Sequence, residues 1–290
     1  MMTSNAAVRQ FVWALALSGL VFLIQLVGAL YSGSLSLLSN AGHLFTDVGS
    51  LGLALYAAKV GQNPPTEQLS YGYGRSGILA AFVNGLVLAG VASALIVAGV
   101  FRLAHPQPVH STIMIAVTVV TLVLNLTVTR TLHADHDPDV NRRAAYWHAL
   151  GDSLSSVGIL AAALLIRWTH WPEWDSLAAI AVGLFILWSS WAAGRPSLLI
   201  LMEAAPAGAR PEDVRALMLQ HPAVHDVHHV HVWSLAPGYH ALSAHVRLET
   251  DTIREGQRVI EELSQSLKES HHIDHVTIQI EAEAHSPAPR

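Results

Sequence analysis

The chain has 290 residues, of which 52% are hydrophobic and only 13% charged. An ordinary soluble domain carries about 25% charged residues, so a single soluble globule is excluded. Net charge is −5, and it is unevenly placed. Residues 1–200 hold nine Lys/Arg against eight Asp/Glu, whereas residues 201–290 hold seven against thirteen. A near-neutral apolar body is therefore followed by an acidic tail, and there is no basic nucleic-acid surface. The absence of Cys excludes disulfide scaffolds and thiolate metal sites.

A helix needs about 20 apolar residues to cross a bilayer. Six segments qualify in chain order: 11–31, 36–58, 76–101, 111–129, 144–166 and 175–194. The first is too long for a signal-peptide core and lacks a small-residue cleavage site, so it is expected to be retained. The short connections carry Arg9, Lys59, Arg75, Arg130, Arg142, Arg143 and Arg195 on one side, against Arg102 and Arg167 on the other. That asymmetry predicts cytoplasmic termini. Trp168, Trp171 and Trp174 would then form an aromatic belt at the outer interface.

The tail reads as helix 211–220, strands 227–235 and 239–249 around Ala236-Pro-Gly238, helix 251–270 and strand 274–281. The order αββαβ predicts a small α+β domain with its helices on one sheet face. The expected division is a six-helix transmembrane domain over 1–200 and a tail domain over 201–290.

An ionisable group at mid-bilayer costs at least about 2.5–3.5 kcal/mol, which marks it as functional by default. The interiors of the predicted spans hold four such groups: His43 and Asp47 in the second, His148 and Asp152 in the fifth. Both pairs read His-x-x-x-Asp, which places imidazole and carboxylate on one helix face about one turn apart. Two such faces brought together give an N₂O₂ set suited to tetrahedral Zn²⁺, and two carboxylates neutralise a divalent ion. The alternative is a local hydrogen bond within each pair, and the repeated spacing argues against it. Gln25, Asn40, Asn84 and Asn125 are read as interhelical hydrogen-bonding residues. No His-Glu-x-x-His occurs, and four protein ligands leave little room for a metal-bound water, so a metalloenzyme is not expected.

Eleven of the 18 His lie after residue 220. Strand alternation sends Val230 and Val232 to one face and His229, His231 and Trp233 to the other. It likewise sends His245 and Glu281 away from a core containing Leu242, Val246, Leu248, Val276, Ile278 and Ile280. Alternation thus points to His231, His245 and Glu281 as a tail site.

Several stretches resemble the cation diffusion facilitator family: Ser32-Gly-Ser-Leu-Ser-Leu-Leu-Ser-Asn-Ala-Gly-His-Leu-Phe-Thr-Asp47, Ala145-Tyr-Trp-His-Ala-Leu-Gly-Asp-Ser153, Tyr71-Gly-Tyr-Gly-Arg75, Ile78-Leu-Ala-Ala-Phe-Val-Asn-Gly85 and His231-Val-Trp-Ser-Leu235. The resemblance implies a homodimeric, proton-coupled exporter of Zn²⁺ or a similar divalent ion such as Co²⁺ or Cd²⁺. It implies a multi-pass protein of the bacterial inner membrane, with a cytoplasmic, metallochaperone-like tail of ferredoxin-like fold. A His at position 43 goes with zinc preference in that family. The resemblance places the tail site at His228, His245, Gln279 and Glu281, so His228 and His231 stand as alternatives that a bulge would reconcile. It also pairs Arg75 with Glu203 as a charge interlock. The loop 61–74 has no His and only Glu67 as an acid, so the second metal site that some members carry there is expected to be missing. The loop 132–139, with two His and three Asp, is read as a solvated acidic loop.

Overall fold

The computed structural model describes residues 5–132, 140–249 and 252–281; the acidic loop around 133–139 lies outside them. Six long helices come first: α1 (Asn5–Ser32), α2 (Leu35–Gly61), α3 (Ser76–Ala104), α4 (Ser111–Leu132), α5 (Val140–Thr169) and α6 (Glu173–Leu201). The tail follows as α7 (Pro211–Met218), β1 (Val224–Ala236), β2 (Tyr239–Leu248), α8 (Ile253–His271) and β3 (Ile273–Glu281). The chain divides into two compact units, Met1–Leu53 with Val83–Ala193, and Ala54–Phe82 with Gly194–Arg290.

The first unit is built inside out relative to a soluble protein. Large apolar side chains such as Leu23, Val27, Leu86, Val123, Leu154 and Leu184 are exposed along its helices, while Gln25, Ser36, Asn40, Thr121, Asn125, Asp152 and Ser156 are buried. That is the arrangement lipid selects, because hydrocarbon solvates apolar surface and polar groups must find partners inside the bundle. All six helices contribute to one apolar core, from Ala29, Leu37, Leu88, Ala92 and Met114 to Ile159, Ala163 and Ile186. Among the described residues, four helical stretches, Ser76–Ala104, Ser111–Arg130, Tyr146–Thr169 and Glu173–Leu201, are long and apolar enough to span a membrane outright. Helix α2 is long enough but less apolar, because one face carries Ser36, Ser39, Asn40, His43, Thr46 and Asp47. Gly99 packs on Ile180 and Gly183 on Ile96, each with no room for a Cβ, so α3 and α6 approach closely.

Among the described residues, interhelical amide bonds appear at Gln25, Asn40 and Asn125 but not at Asn84. Asn40 Nδ2 donates to Gln25 Oε1 at 2.7 Å, joining α2 to α1. Asn125 Nδ2 donates to Ser156 Oγ at 3.4 Å, joining α4 to α5.

The tail is a three-stranded sheet of order β1-β2-β3, antiparallel between β1 and β2 and parallel between β2 and β3. A parallel partner needs a crossover, which α8 supplies. Pro237 and Gly238, the latter at φ 72°, close the β1–β2 turn; a Pro followed by a positive-φ Gly suits a type II turn. Thr252 caps α8 by accepting from the Glu255 amide, and His272 ends it in the left-handed region. Val214 and Met218 of α7 and Val259, Leu263 and Leu267 of α8 share one core with Val227, Val232, Leu242, Ala244 and Val246. Both helices therefore cover one sheet face. Ile280 departs from its expected core position: it is 38% exposed, near the end of the edge strand.

Candidate metal centres

Helices α2 and α5 bring His43, Asp47, His148 and Asp152 together. His43 Nε2 stands 3.7 Å from Asp47 Oδ2 and 3.8 Å from Asp152 Oδ1. His148 Nε2 stands 3.3 Å from Asp47 Oδ2 and 3.8 Å from Asp152 Oδ2. Each imidazole nitrogen thus faces both carboxylates, one on its own helix and one across the gap. The two rings meet edge to face with centroids 5.9 Å apart.

These separations decide between the two readings of the His-x-x-x-Asp pairs. An N–H···O bond lies at about 2.7–3.2 Å, so intrahelical pairs at 3.7 and 3.8 Å are not hydrogen bonds. Ligands at 2.0–2.1 Å around tetrahedral zinc are about 3.3–3.4 Å apart. The four N···O edges equal that length or exceed it by up to about half an ångström. Ligand atoms of His43, His148 and Asp152 all lie within 4.8 Å of one another. Among the described residues, buried His43 Nδ1 and Asp47 Oδ2 lack a hydrogen-bond partner. The surrounding hydroxyls do not compete for the ligands: Thr46 donates to the His43 carbonyl, Ser50 to that of Asp47 and Ser156 to that of Asp152. The centre is most open at His148, whose side chain is 51% exposed against 12% for Asp152.

The tail forms a second cluster of a different kind. His228 pairs with His245 across β1 and β2, and the next register pair is His231 with Ser243. Two residues, His229 and Val230, therefore oppose one, and His229 takes φ 51°. The bulge lets Val227 and Val232 both face the core, although they stand an odd five positions apart. His228 Nε2 lies 3.2 Å from Glu281 Oε2, and His245 Nδ1 lies 2.7 Å from Glu281 Oε1. Gln279 Nε2 donates to Glu281 Oε1 at 3.3 Å, and the His229 ring stacks on His245 with centroids 5.0 Å apart. Asp226 accepts from His228 Nδ1 at 3.1 Å. Burial disfavours the Asp226 carboxylate, but the Val227 amide, His228 and Arg215 outweigh it and hold the group below its ordinary range. His231 lies past the bulge and away from this cluster. It lines a cavity of about 730 Å³ with Tyr71, Arg75, Glu203 and Trp233.

Arg75 and Glu203 do approach each other. Arg75 Nη1 and Nη2 both reach the single oxygen Oε1, at 3.5 and 3.4 Å. The side chains are 36% and 64% exposed, and Arg75 also donates to the Ser234 carbonyl at 3.2 Å.

One buried charge was not anticipated. Asp175 looks in the sequence like the polar edge of the sixth span. Its carboxylate is fully buried and accepts from Ser34 Oγ and the Leu35 amide, both at 2.6 Å, and from Ser36. Its partners are about 140 positions away, so no local pattern announces it.

Comparison with known proteins accounts for both halves of the chain. Residues 11–202 match the cation efflux transmembrane domain and residues 206–283 the cytoplasmic domain of cation efflux proteins. The metal cation efflux system protein CzcD of Cupriavidus metallidurans is 36% identical, over 92% of this chain and 84% of its own. The zinc transporter ZitB of Escherichia coli is 34% identical, over 96% and 89%. A cadmium, cobalt and zinc/H(+)-K(+) antiporter of Bacillus subtilis is 34% identical, over 91% and 86%. Matched at this level along nearly its whole length, the chain belongs to the cation diffusion facilitator family: it is a multi-pass membrane protein that exports divalent metal cations, not an enzyme.

Proposed function

We propose that the protein exports Zn²⁺, with Co²⁺ and Cd²⁺ as further substrates, from the cytoplasm in exchange for protons. The transport domain is residues 1–200, and the ion is carried by His43, Asp47, His148 and Asp152. The observation that carries this reading is the set of four N···O separations between 3.3 and 3.8 Å, too long for hydrogen bonds in three cases and close to the edges of a zinc tetrahedron. Two imidazoles select a borderline metal over Mg²⁺ or Ca²⁺, and two carboxylates balance its charge.

Proton exchange follows from the donor set. Zinc binds neutral imidazole and ionised carboxylate, so protons and metal compete for the same atoms. Protons arriving from the outer side displace the ion there, and their release on the cytoplasmic side readies the centre for the next one. Alternating access opens the four residues to one side at a time.

Residues 201–290 form a cytoplasmic, metallochaperone-like domain that binds zinc through His228, His245 and Glu281 and pairs with a second copy in a homodimer. His231 lies outside that group and is not part of the proposed site. Both termini are cytoplasmic, and the membrane is a bacterial inner membrane. The similarity to named zinc transporters and to a metal/proton antiporter supports the substrate and the coupling. Zn²⁺ uptake into proteoliposomes tests the reading. An imposed pH gradient should drive uptake of Zn²⁺, Co²⁺ and Cd²⁺ but not Mn²⁺, and uptake indifferent to the gradient would refute the exchange.

A further inference from the structure

Asp175 sits in the first turn of α6 with no exposed surface. Its Oδ1 accepts from Ser34 Oγ and Ser36 Oγ, both at 2.6 Å, and from the Ser36 amide at 3.1 Å; its Oδ2 accepts from the Leu35 amide at 2.6 Å. These donors are the N-terminus of α2. A helix leaves its first four amides without intrahelical partners, and here three find side chains: Leu35 and Ser36 on Asp175, and Leu37 on Ser34 Oγ at 3.1 Å. A carboxylate at this position also complements the positive end of the α2 dipole. Arg102 of α3 completes the node. Its Nη1 lies 3.4 Å from Asp175 Oδ2 and donates to the Gly33 carbonyl at 2.8 Å.

Ser36 lies seven residues before His43 and eleven before Asp47. Spacings of seven and eleven return to the same helix face, so Asp175 holds the face that carries both ligands, about 10 Å along the axis from His43. Two helices, α6 through Asp175 and α3 through Arg102, thus clamp one end of α2.

We propose that Asp175 is a positioning residue for metal transport: its buried carboxylate caps α2 from α6 and sets where His43 and Asp47 stand against His148 and Asp152. This rests on the reading of those four residues as the transport centre. Rotating or fraying the first turns of α2 changes N···O separations that are already within about half an ångström of the zinc edge length, so the metal site feels the cap even though Asp175 does not touch the ion.

The test is calorimetry of Zn²⁺ and Cd²⁺ binding to the full-length protein in lipid nanodiscs, with the tail ligands removed as His228→Ala, His245→Ala and Glu281→Ala. In that background Asp152→Ala should abolish binding; if it leaves stoichiometry and affinity intact, the transport-centre reading fails and this inference falls with it. With that control met, Asp175→Asn should weaken Zn²⁺ binding about tenfold at unchanged stoichiometry, as loss of a supporting residue around a metal site typically does, and should narrow the Zn²⁺ over Cd²⁺ preference. Adding Ser34→Asp supplies an acid cap on α2 itself and should bring the affinity back to within about threefold, which a general folding defect would not do. Ser36→Ala, which removes one bond and keeps the carboxylate, should weaken binding about threefold, and it alone decides if Asp175→Asn does not assemble. Zn²⁺ affinity within twofold of the parent in these variants, or a loss that Ser34→Asp does not repair, overturns the proposal.

Discussion

The two His–carboxylate clusters use the same donor types in opposite states. In the membrane unit three of the four imidazole–carboxylate pairs stand 3.7–3.8 Å apart, too far to hydrogen-bond, and the fourth, His148 with Asp47, stands at 3.3 Å. In the tail they close onto each other, with His245 at 2.7 Å and His228 at 3.2 Å from Glu281. Spacing explains the difference. Helical His-x-x-x-Asp pairs are held by rigid backbones on α2 and α5, whereas Glu281 is the last residue of the edge strand β3 and contacts His228 and His245 directly. An ion at the membrane residues would enter between groups that are mostly unpaired, whereas an ion in the tail would compete with existing His–Glu contacts.

The comparison breaks most readily at the membrane carboxylates. Asp47→Ala or Asp152→Ala leaves three ligands and an uncompensated positive charge. Structural zinc sites are worth about 10–16 kcal/mol over four ligands, so one ligand carries on the order of 3 kcal/mol, a loss of more than about 100-fold in transport rate. Proteoliposome flux of Asp152→Ala within tenfold of the parent would remove these residues from the mechanism. Selectivity comes next. His43→Asp replaces a borderline nitrogen with a hard oxygen, and the Zn²⁺ over Mn²⁺ flux ratio should fall by at least about tenfold.

The tail responds differently. His245→Ala with Glu281→Ala should lower zinc binding by the cytoplasmic site about tenfold or more while the membrane centre stays loaded. Calorimetry of the full-length protein then loses one class of sites and keeps the other. His231→Ala should leave both classes in place, because His231 lines the separate cavity beside Trp233. Acidification should weaken tail binding too, since protons compete with metal for the imidazole nitrogens. Loss of both binding classes in the double variant would show that the clusters are not independent.

Much of this architecture is legible in the chain itself, for physical reasons that mark where legibility stops. Six apolar stretches and the tail alternation report local burial, so the helix and strand order follows from them. The His-x-x-x-Asp pairs are legible because four ionisable groups inside a lipid-facing bundle are costly and their spacing names a shared face. The bulge at His229–Val230 is not, since one inserted residue reverses every later side chain on β1. That is why simple alternation favours His231 while the register places His228 opposite His245. Asp175 is hidden for another reason: its role lies in donors on a helix about 140 residues earlier, and in isolation it is one more acid in the first turn of a helix.

The smallest effect is expected where the sequence resemblance promises a strong interlock. Arg75 and Glu203 meet at 3.4 Å through one carboxylate oxygen, on side chains 36% and 64% exposed. Exposed ion pairs are worth about 0–1 kcal/mol, so the coupling between them should change transport by at most about fivefold. The singles should not be equal. Arg75 also donates to the Ser234 carbonyl at 3.2 Å, a bond with a charged donor worth about 1.5–3 kcal/mol when well shielded and less here. Arg75→Glu loses that bond together with the pair, whereas Glu203→Arg loses the pair alone, so Arg75→Glu should be the more harmful. The double swap restores opposite charges but places a carboxylate before the Ser234 carbonyl, so it should recover only the pair's share. Salt separates the two contributions. At about 1 M ionic strength the Debye length falls to about 3 Å, which should erase most of the pair coupling and leave the difference between the singles. A double-mutant cycle whose coupling exceeds about 1 kcal/mol and persists in high salt would show that the pair is shielded and acts as a true interlock.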